Sequence, residues 1–260
     1  MRVALIGYGA IGSRVGRALA AGKVPGARLV GVHTRSPERA EGVDALGWEG
    51  TLAGADLVVE CAGTYAARDL GPGVVAAGRT LLLTSIGALA HPPTRRALLE
   101  TGPGRTVLTS GAVGGLDLLS AAALGGGLEE ASLETAKLPA TLIQPWMDRG
   151  RAAEIRATGG PVRIFDGSVV EAIDRFPQSL NVAVALAHAT NLWEETRVRL
   201  VADPAAACTR HLIRARGRAG SYQFSIENAP MDANPATSAV VADAVLKAIA
   251  ALGGASGVVV

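Results

Sequence analysis

Cysteine is nearly missing from this 260-residue chain: Cys61 and Cys208 are the only two, too few for the disulfide framework of a small secreted scaffold. An export signal is missing as well. The apolar start Val3-Ala4-Leu5-Ile6 is too short for a signal core and is broken by Gly7 and Gly9. No apolar run reaches membrane-spanning length without a glycine or a charge. These absences lead us to expect a cytoplasmic protein with no membrane partner. A surplus of one charge is also lacking, since 25 Lys and Arg face 23 Asp and Glu for a net charge of +2. No nucleic-acid partner is expected from that balance. Lysine is scarce, with only Lys23, Lys137 and Lys247. No GxxxxGK[ST] loop occurs, which argues against an ATP-type phosphate loop, and no metal site is expected. What remains is an ordinary globular composition, 49% hydrophobic and 18% charged, with core enough for one large or two small domains.

The most informative stretch is the N-terminus. A buried strand, Arg2 to Ile6, runs into Gly7-Tyr8-Gly9-Ala10-Ile11-Gly12 and then into an amphipathic stretch from Ser13 to Ala21. Strand, glycine turn and helix in that order are the context a dinucleotide-binding GxGxxG requires. Gly7 permits the sharp turn, Gly9 lets a pyrophosphate approach the backbone, and Gly12 lets the helix sit close to the strand. The unpaired N–H groups of the helix start, at Ala10 and Ile11, then face the phosphates.

Beyond it, short apolar runs alternate with helical segments. Leu29–His33, Asp56–Cys61, Thr80–Thr84 and Thr106–Ser110 read as parallel strands buried on both faces, with helices at 66–77 and 93–100 between them. The expected fold class is α/β: a Rossmann-type doubly wound parallel sheet followed by a smaller α+β domain for substrate and dimerisation. Residues 1–115 are assigned to the dinucleotide domain and 116–233 to the second. The latter has helices at 114–124, at 168–173 with capping-box spacing between Ser168 and Glu171, and at 181–189. Antiparallel strand-like runs follow at 196–202, 209–215 and 222–227, with a hairpin turn between Gly217 and Gly220. Asn234-Pro235 marks a helix start, so 234–252 is expected as a terminal helix returning to the first domain, followed by a mobile tail from Gly253.

The second strand ends in His33-Thr34-Arg35-Ser36, without the acid that would bind a ribose 2′-hydroxyl. Thr34 stands where that acid is expected, and Arg35 suits a 2′-phosphate, so NADP is accepted and favoured, NAD remaining the alternative. The carboxyl ends of the later strands carry Cys61-Ala62-Gly63, Ser85-Ile86-Gly87-Ala88 and Ser110 to Gly115, small residues against which a nicotinamide can lie. At Gly63 and Gly87 a tight turn with no ligand contact reads equally well. A dehydrogenase also needs an acid/base, for which histidine suits neutral pH. Of His33, His91, His188 and His211, the first is on the adenosine side, the second in a proline-rich loop, and the third reads as a core residue of an apolar helix. Position alone gives His211 a modest preference. Arg210 and Arg214 point away from it if the strand is regular.

These motifs in this order resemble the L-aspartate dehydrogenase family. Gly7 to Gly12, Val59 to Gly63, Ser85 to Leu89 and Ser110 to Asp117 carry the resemblance in the first half. Phe176-Pro177 through Asn181-Val182-Ala183, His211, Asn228-Ala229-Pro230 and Asn234 to Ser238 carry it in the second. The resemblance implies oxidation of L-aspartate by NAD or NADP to iminoaspartate, then oxaloacetate and ammonia, or the reverse. It implies His211 as acid/base, Asn181 as a cofactor contact, and Gly115 as a backbone contact where alanine is usual. It also points to Lys137, in Lys137-Leu138-Pro139 where the family tends to have Lys-Pro-Pro, as a substrate residue. A homodimer is expected, and so is a fall in oxidation rate on the acid side as His211 protonates. A dihydrodipicolinate-reductase-like or homoserine-dehydrogenase-like enzyme, and a non-catalytic dinucleotide sensor, stay open as alternatives.

Overall fold

The computed structural model describes residues 1–40, 42–177 and 180–256. The chain forms two compact units, Met1–Gly111 with Val241–Val260, and Ala112–Val240. In the first, β1 (Arg2–Ile6), β2 (Arg28–His33), β3 (Leu57–Glu60), β4 (Thr80–Leu83) and β5 (Arg105–Leu108) alternate with α1 (Ala10–Ala20), α2 (Trp48–Gly54), α3 (Thr64–Ala76) and α4 (Pro92–Leu99). The strands are all parallel, in the order β2-β1-β3-β4-β5. Helices cover both faces, so Val3–Ile6, Leu57–Glu60 and Leu81–Leu83 are buried at every position instead of at alternate ones. The strand order reverses between β1 and β3, and a doubly wound sheet binds its ligand at the carboxyl ends beside such a reversal.

The second unit holds α5 (Leu116–Leu124), β6 (Glu130–Lys137), α6 (Arg149–Arg156), β7 (Val162–Gly167), α7 (Val169–Arg175), α8 (Asn181–Thr190), β8 (Arg197–Ala202), β9 (Thr209–Gly217), β10 (Gly220–Asn228), β11 (Pro230–Met231) and β12 (Asn234–Ser238). Expected to be the smaller unit, it is nearly as long as the first. Its main sheet runs β10-β9-β6-β8-β7 and is mixed where antiparallel pairing was expected, because β6 and β8 pair in parallel. The chain between them, through α6, β7, α7 and α8, is long enough for the crossover that parallel strands need. Burial alternates along β6, β8 and β9, giving the sheet one covered and one open face, and α8 packs on β6. Ser168 and Glu171 form a complete capping box at α7, and a tight turn joins Gly217 to Gly220.

Asn234-Pro235, the helix start marked by the sequence, opens a strand instead. Proline holds the preceding residue extended, and the Asn234 side chain closes a local turn. Its Oδ1 accepts from the Ala236 N–H at 3.2 Å and its Nδ2 donates to Thr237 Oγ1 at 3.1 Å. The terminal helix α9 begins at Val240 and ends at Leu252. It lies in the first unit, where Arg14 of α1 pairs with Asp243 at 2.9 Å. Gln178 and Ser179, inside the motif from Phe176 to Ala183, and the last four residues of the tail lie outside the described residues.

Candidate active site

The turn after β1 has the geometry its three glycines require. Gly7 is left-handed at φ +91°, and a Cβ there would lie 2.8 Å from Cα of Ala62 in the turn after β3. A Cβ on Gly12 would overlap the Gly7 carbonyl oxygen, whereas one on Gly9 would meet nothing within 4 Å. The backbone at Gly9 therefore faces open space. Gly9 is also the N-cap of α1, with no side-chain cap and no acidic residue in the first turn, so the opening N–H groups at Ala10, Ile11 and Gly12 lack an intrahelical acceptor. An uncapped helix start beside an open glycine fits a pyrophosphate. Gly12→Ala is expected to weaken NAD(P)H binding by about 10-fold or more through this overlap, read as Kd by fluorescence titration.

Thr34 and Arg35 follow β2 directly. The His33 carbonyl accepts from Gly7 N–H at 2.8 Å, and Thr34 Oγ1 accepts from Ser36 N–H at 3.2 Å, leaving Arg35 exposed. His33 itself is committed to structure, with Nδ1 3.1 Å from the Leu46 carbonyl and its ring edge-on to Trp48.

The turns after β3 and β4 share one organising residue. Glu60, fully buried at the end of β3, accepts on Oε1 from the N–H groups of Ala62 (2.7 Å) and Gly63 (2.8 Å) and from Ser85 Oγ (3.1 Å). Its Oε2 accepts from Ser85 N–H at 3.0 Å. One carboxylate thus ties Cys61-Ala62-Gly63 to Ser85. Gly63 is left-handed at φ +109° with open space where a side chain would be. Burial pushes the Cys61 thiol well above its usual range, with Glu60 adding to the effect, so Cys61 is a neutral wall and not a nucleophile.

In the second unit, His211 stands on the covered face of β9 and is 2% exposed. His91 and His188 are exposed. The reading of His188 as a core residue is corrected here, since it lies on the outer edge of α8 with its ring against Trp193. His211 pairs across the sheet with Thr135 of β6, and Thr135 Oγ1 lies 2.9 Å from His211 Nδ1. Two residues further along β6 on the same face, Lys137 is 6% exposed and donates to the Ala236 carbonyl at 3.0 Å. Burial lowers Lys137 to about 8, and no carboxylate acts on it. Burial, helped by the charge of Lys137, pulls His211 down to about 3. Both causes favour the neutral imidazole, so an acid limb from His211 protonation is expected well below neutrality and not near its ordinary range.

Gly115 and Asn181 belong to the second unit, the first as the left-handed N-cap of α5 at φ +79° and the second as the opening residue of α8. A Cβ on Gly115 would lie 2.5 Å from the Phe224 ring, so a side chain fits there only if that ring moves. Arg210 and Arg214 do point to the opposite face, where Arg210 pairs with Asp203 at 3.4 Å and Arg214 donates to Gln223 at 2.9 Å. A groove of about 450 Å³ on that face, lined by Glu130, Arg197, Arg199, Arg214 and Arg216 among others, is thus separate from His211. Thr135 and the anchoring role of Glu60 escaped the sequence reading. The period-2 pattern Ala131, Leu133, Thr135, Lys137 and the lone acid in an apolar strand were the signals available.

Comparison with known proteins gives the family. A family model described as "Aspartate dehydrogenase, C-terminal" matches residues 117–252, and one described as "Homoserine dehydrogenase, NAD binding domain" matches 7–103. The chain is 38% identical to the L-aspartate dehydrogenase of Ruegeria pomeroyi, over 98% of this chain and 94% of that protein. It is 31% identical to that of Methanocaldococcus jannaschii, over 96% of each. A crystal structure of aspartate dehydrogenase from Thermotoga maritima superposes with a TM-score of 0.75 at 25% identity, covering 100% of this chain and 99% of that one.

Proposed function

We propose, from the premise that this chain belongs to the aspartate dehydrogenase family, that it is an NAD(P)-dependent L-aspartate dehydrogenase acting through His211. The reaction converts L-aspartate to iminoaspartate, which water turns into oxaloacetate and ammonia, and it is reversible. The observation that carries the reading is the buried trio Thr135, Lys137 and His211 on one sheet face of a chain in this family. The homoserine-type alternative is supported only by the nucleotide-binding half, and a non-catalytic sensor would have no use for a buried imidazole beside a buried ammonium.

A nicotinamide held at the carboxyl ends of the first sheet would supply the two-electron acceptor for the hydride from the aspartate Cα. The chain's own residues do the rest. Thr135 orients the imidazole through Nδ1, which leaves Nε2 for the reacting proton. A threonine hydroxyl both donates and accepts, so it supports either neutral tautomer, and Nε2 can take a proton from the substrate nitrogen in one direction and return it in the other. Lys137 supplies the cation for a substrate carboxylate, the charge being otherwise held by one backbone carbonyl. Gly7 to Gly12 would cradle the pyrophosphate and Cys61, Ala62, Gly63 and Ser85 would wall the nicotinamide, with Gly115 and Asn181 as the further cofactor residues of this reading. Arg35, exposed beside Thr34 with no acid at the strand end, supports NADP as the better cofactor. The molecule works as a homodimer, for which the open face of the second sheet offers the surface.

A turnover matrix tests this reading. NADP and NAD are crossed with L-aspartate, homoserine, aspartate semialdehyde and dihydrodipicolinate, in the direction each allows, and followed at 340 nm. Turnover with aspartate alone is expected, with NADP ahead. Arg35→Ala is expected to raise KM for NADP by about 10-fold and leave KM for NAD within about 2-fold, the difference being one charged phosphate contact. Absence of turnover with aspartate under either cofactor would refute the enzymatic assignment.

A further inference from the structure

Glu60 is a buried carboxyl group at the turns that end β3 and β4, with no positive partner among the described residues. Four groups donate to its two oxygens, and three of them are backbone N–H groups, which can only donate. An un-ionised acid would bring a proton of its own against those donors, so the geometry fits the carboxylate. Burial raises Glu60 above the ordinary carboxylate range, the four hydrogen bonds work against that rise, and no cation is among the causes acting on it. Among the described residues no lysine or arginine pairs with Glu60. Hydrogen bonds from backbone amides solvate a buried anion but do not neutralise it.

The groups it holds are the turns that follow β3 and β4, at the carboxyl ends where this sheet type binds its ligand. Of the two forms of a nicotinamide cofactor, the oxidised one carries a positive charge on its ring and the reduced one is neutral there. From this we infer that Glu60 supplies the missing half of an ion pair: its charge selects the oxidised cofactor over the reduced one, in addition to fixing the two turns. The inference rests on the dinucleotide reading of the first unit and names a positioning residue that discriminates between redox states. It separates the two contributions of one side chain. Fixing the turns helps both forms equally, whereas the charge helps only the cationic ring.

The test is equilibrium binding to the full-length protein, by calorimetry for the oxidised forms and cofactor fluorescence for the reduced forms, using NAD+, NADH, NADP+ and NADPH. Glu60→Gln removes the charge and turns an amide N–H against a backbone donor, a loss common to both redox forms, and Ser85→Ala removes one donor and keeps the charge. E60Q is expected to shift the ratio of oxidised to reduced Kd about 10-fold against the oxidised form. S85A is expected to weaken both forms alike and leave the ratio within about 2-fold. In wild type, the oxidised form is expected to bind at least as tightly as the reduced form. If E60Q shows no cooperative thermal transition, the wild-type comparison decides, and reduced cofactor binding 10-fold more tightly there would overturn the inference. An unchanged ratio in folded E60Q overturns it while leaving the dinucleotide reading intact. Failure of all four nucleotides to bind wild type overturns both.

Discussion

His211→Ala lowers kcat for L-aspartate oxidation by about 10³-fold while NAD(P)H Kd and the melting transition stay close to wild type. The size follows from what is lost: one positioned acid/base is worth about 10² to 10⁴ in rate, and no other histidine is buried among the described residues to replace it. The selectivity of the effect follows from placement. His211 lies on β9 of the second unit, and the hydrogen bond it makes is to Thr135 of the same unit. Thr135→Val separates orientation from chemistry. It removes the hydroxyl 2.9 Å from Nδ1 and is expected to lower kcat with little change in aspartate KM. Stopped-flow rates and cofactor titrations on the same preparations check both. A folded His211→Ala enzyme with turnover within about 3-fold of wild type would remove His211 from the reaction.

Lys137→Met weakens the competitive inhibitor succinate by about 10²-fold at pH 7 and abolishes the pH dependence of its Ki. Succinate is the right probe because neither carboxylate titrates near or above neutrality, so any pH dependence belongs to the protein. The sign follows from burial, which lowers Lys137 to about 8. Below that value the ammonium is charged and can hold a carboxylate; above it the amine is neutral. Wild-type Ki should be flat below pH 7 and rise about 10-fold for each unit above 8. A bound dicarboxylate favours the charged form, so the same limb in kcat should lie at higher pH than in kcat/KM. The magnitude follows from the setting, since removing one partner of a buried charged contact costs about 3 kcal/mol or more. A flat wild-type Ki between pH 7 and 10 would exclude Lys137 as the carboxylate-binding cation.

The two residues in these predictions were not equally legible in the sequence. His211 stood out only because the other three histidines had plain local duties and the family resemblance pointed to its strand. Lys137 stood out by scarcity and resemblance. Neither reading could give their states. Both are lowered by burial on one sheet face, Lys137 two residues along β6 from Thr135 and His211 opposite Thr135 on β9, and the charge of Lys137 adds to the lowering of His211. The Asn234-Pro235 signal failed for a related reason. A cap motif describes what a residue can do locally, and here the same asparagine side chain bonds forward to Ala236 and Thr237 within a strand instead of capping a helix.

Local and periodic information was enough for much of this protein. Short apolar runs bounded by glycines and turn residues read as strands buried on both faces, and three glycines after the first of them read as a close turn with an open backbone, so the parallel sheet and its nucleotide turn were legible in the sequence itself. Period-2 burial likewise put His211 and Arg210 on opposite sides of one strand. What only the tertiary structure decided was pairing across the chain: Thr135 opposite His211, Lys137 on the same face, and Glu60 joining the turns after two different strands. Such contacts link residues 25 to 76 positions apart. They are set by strand register and by the strong cost of leaving a buried charge or polar group unpartnered, and neither quantity is written in any local stretch of residues.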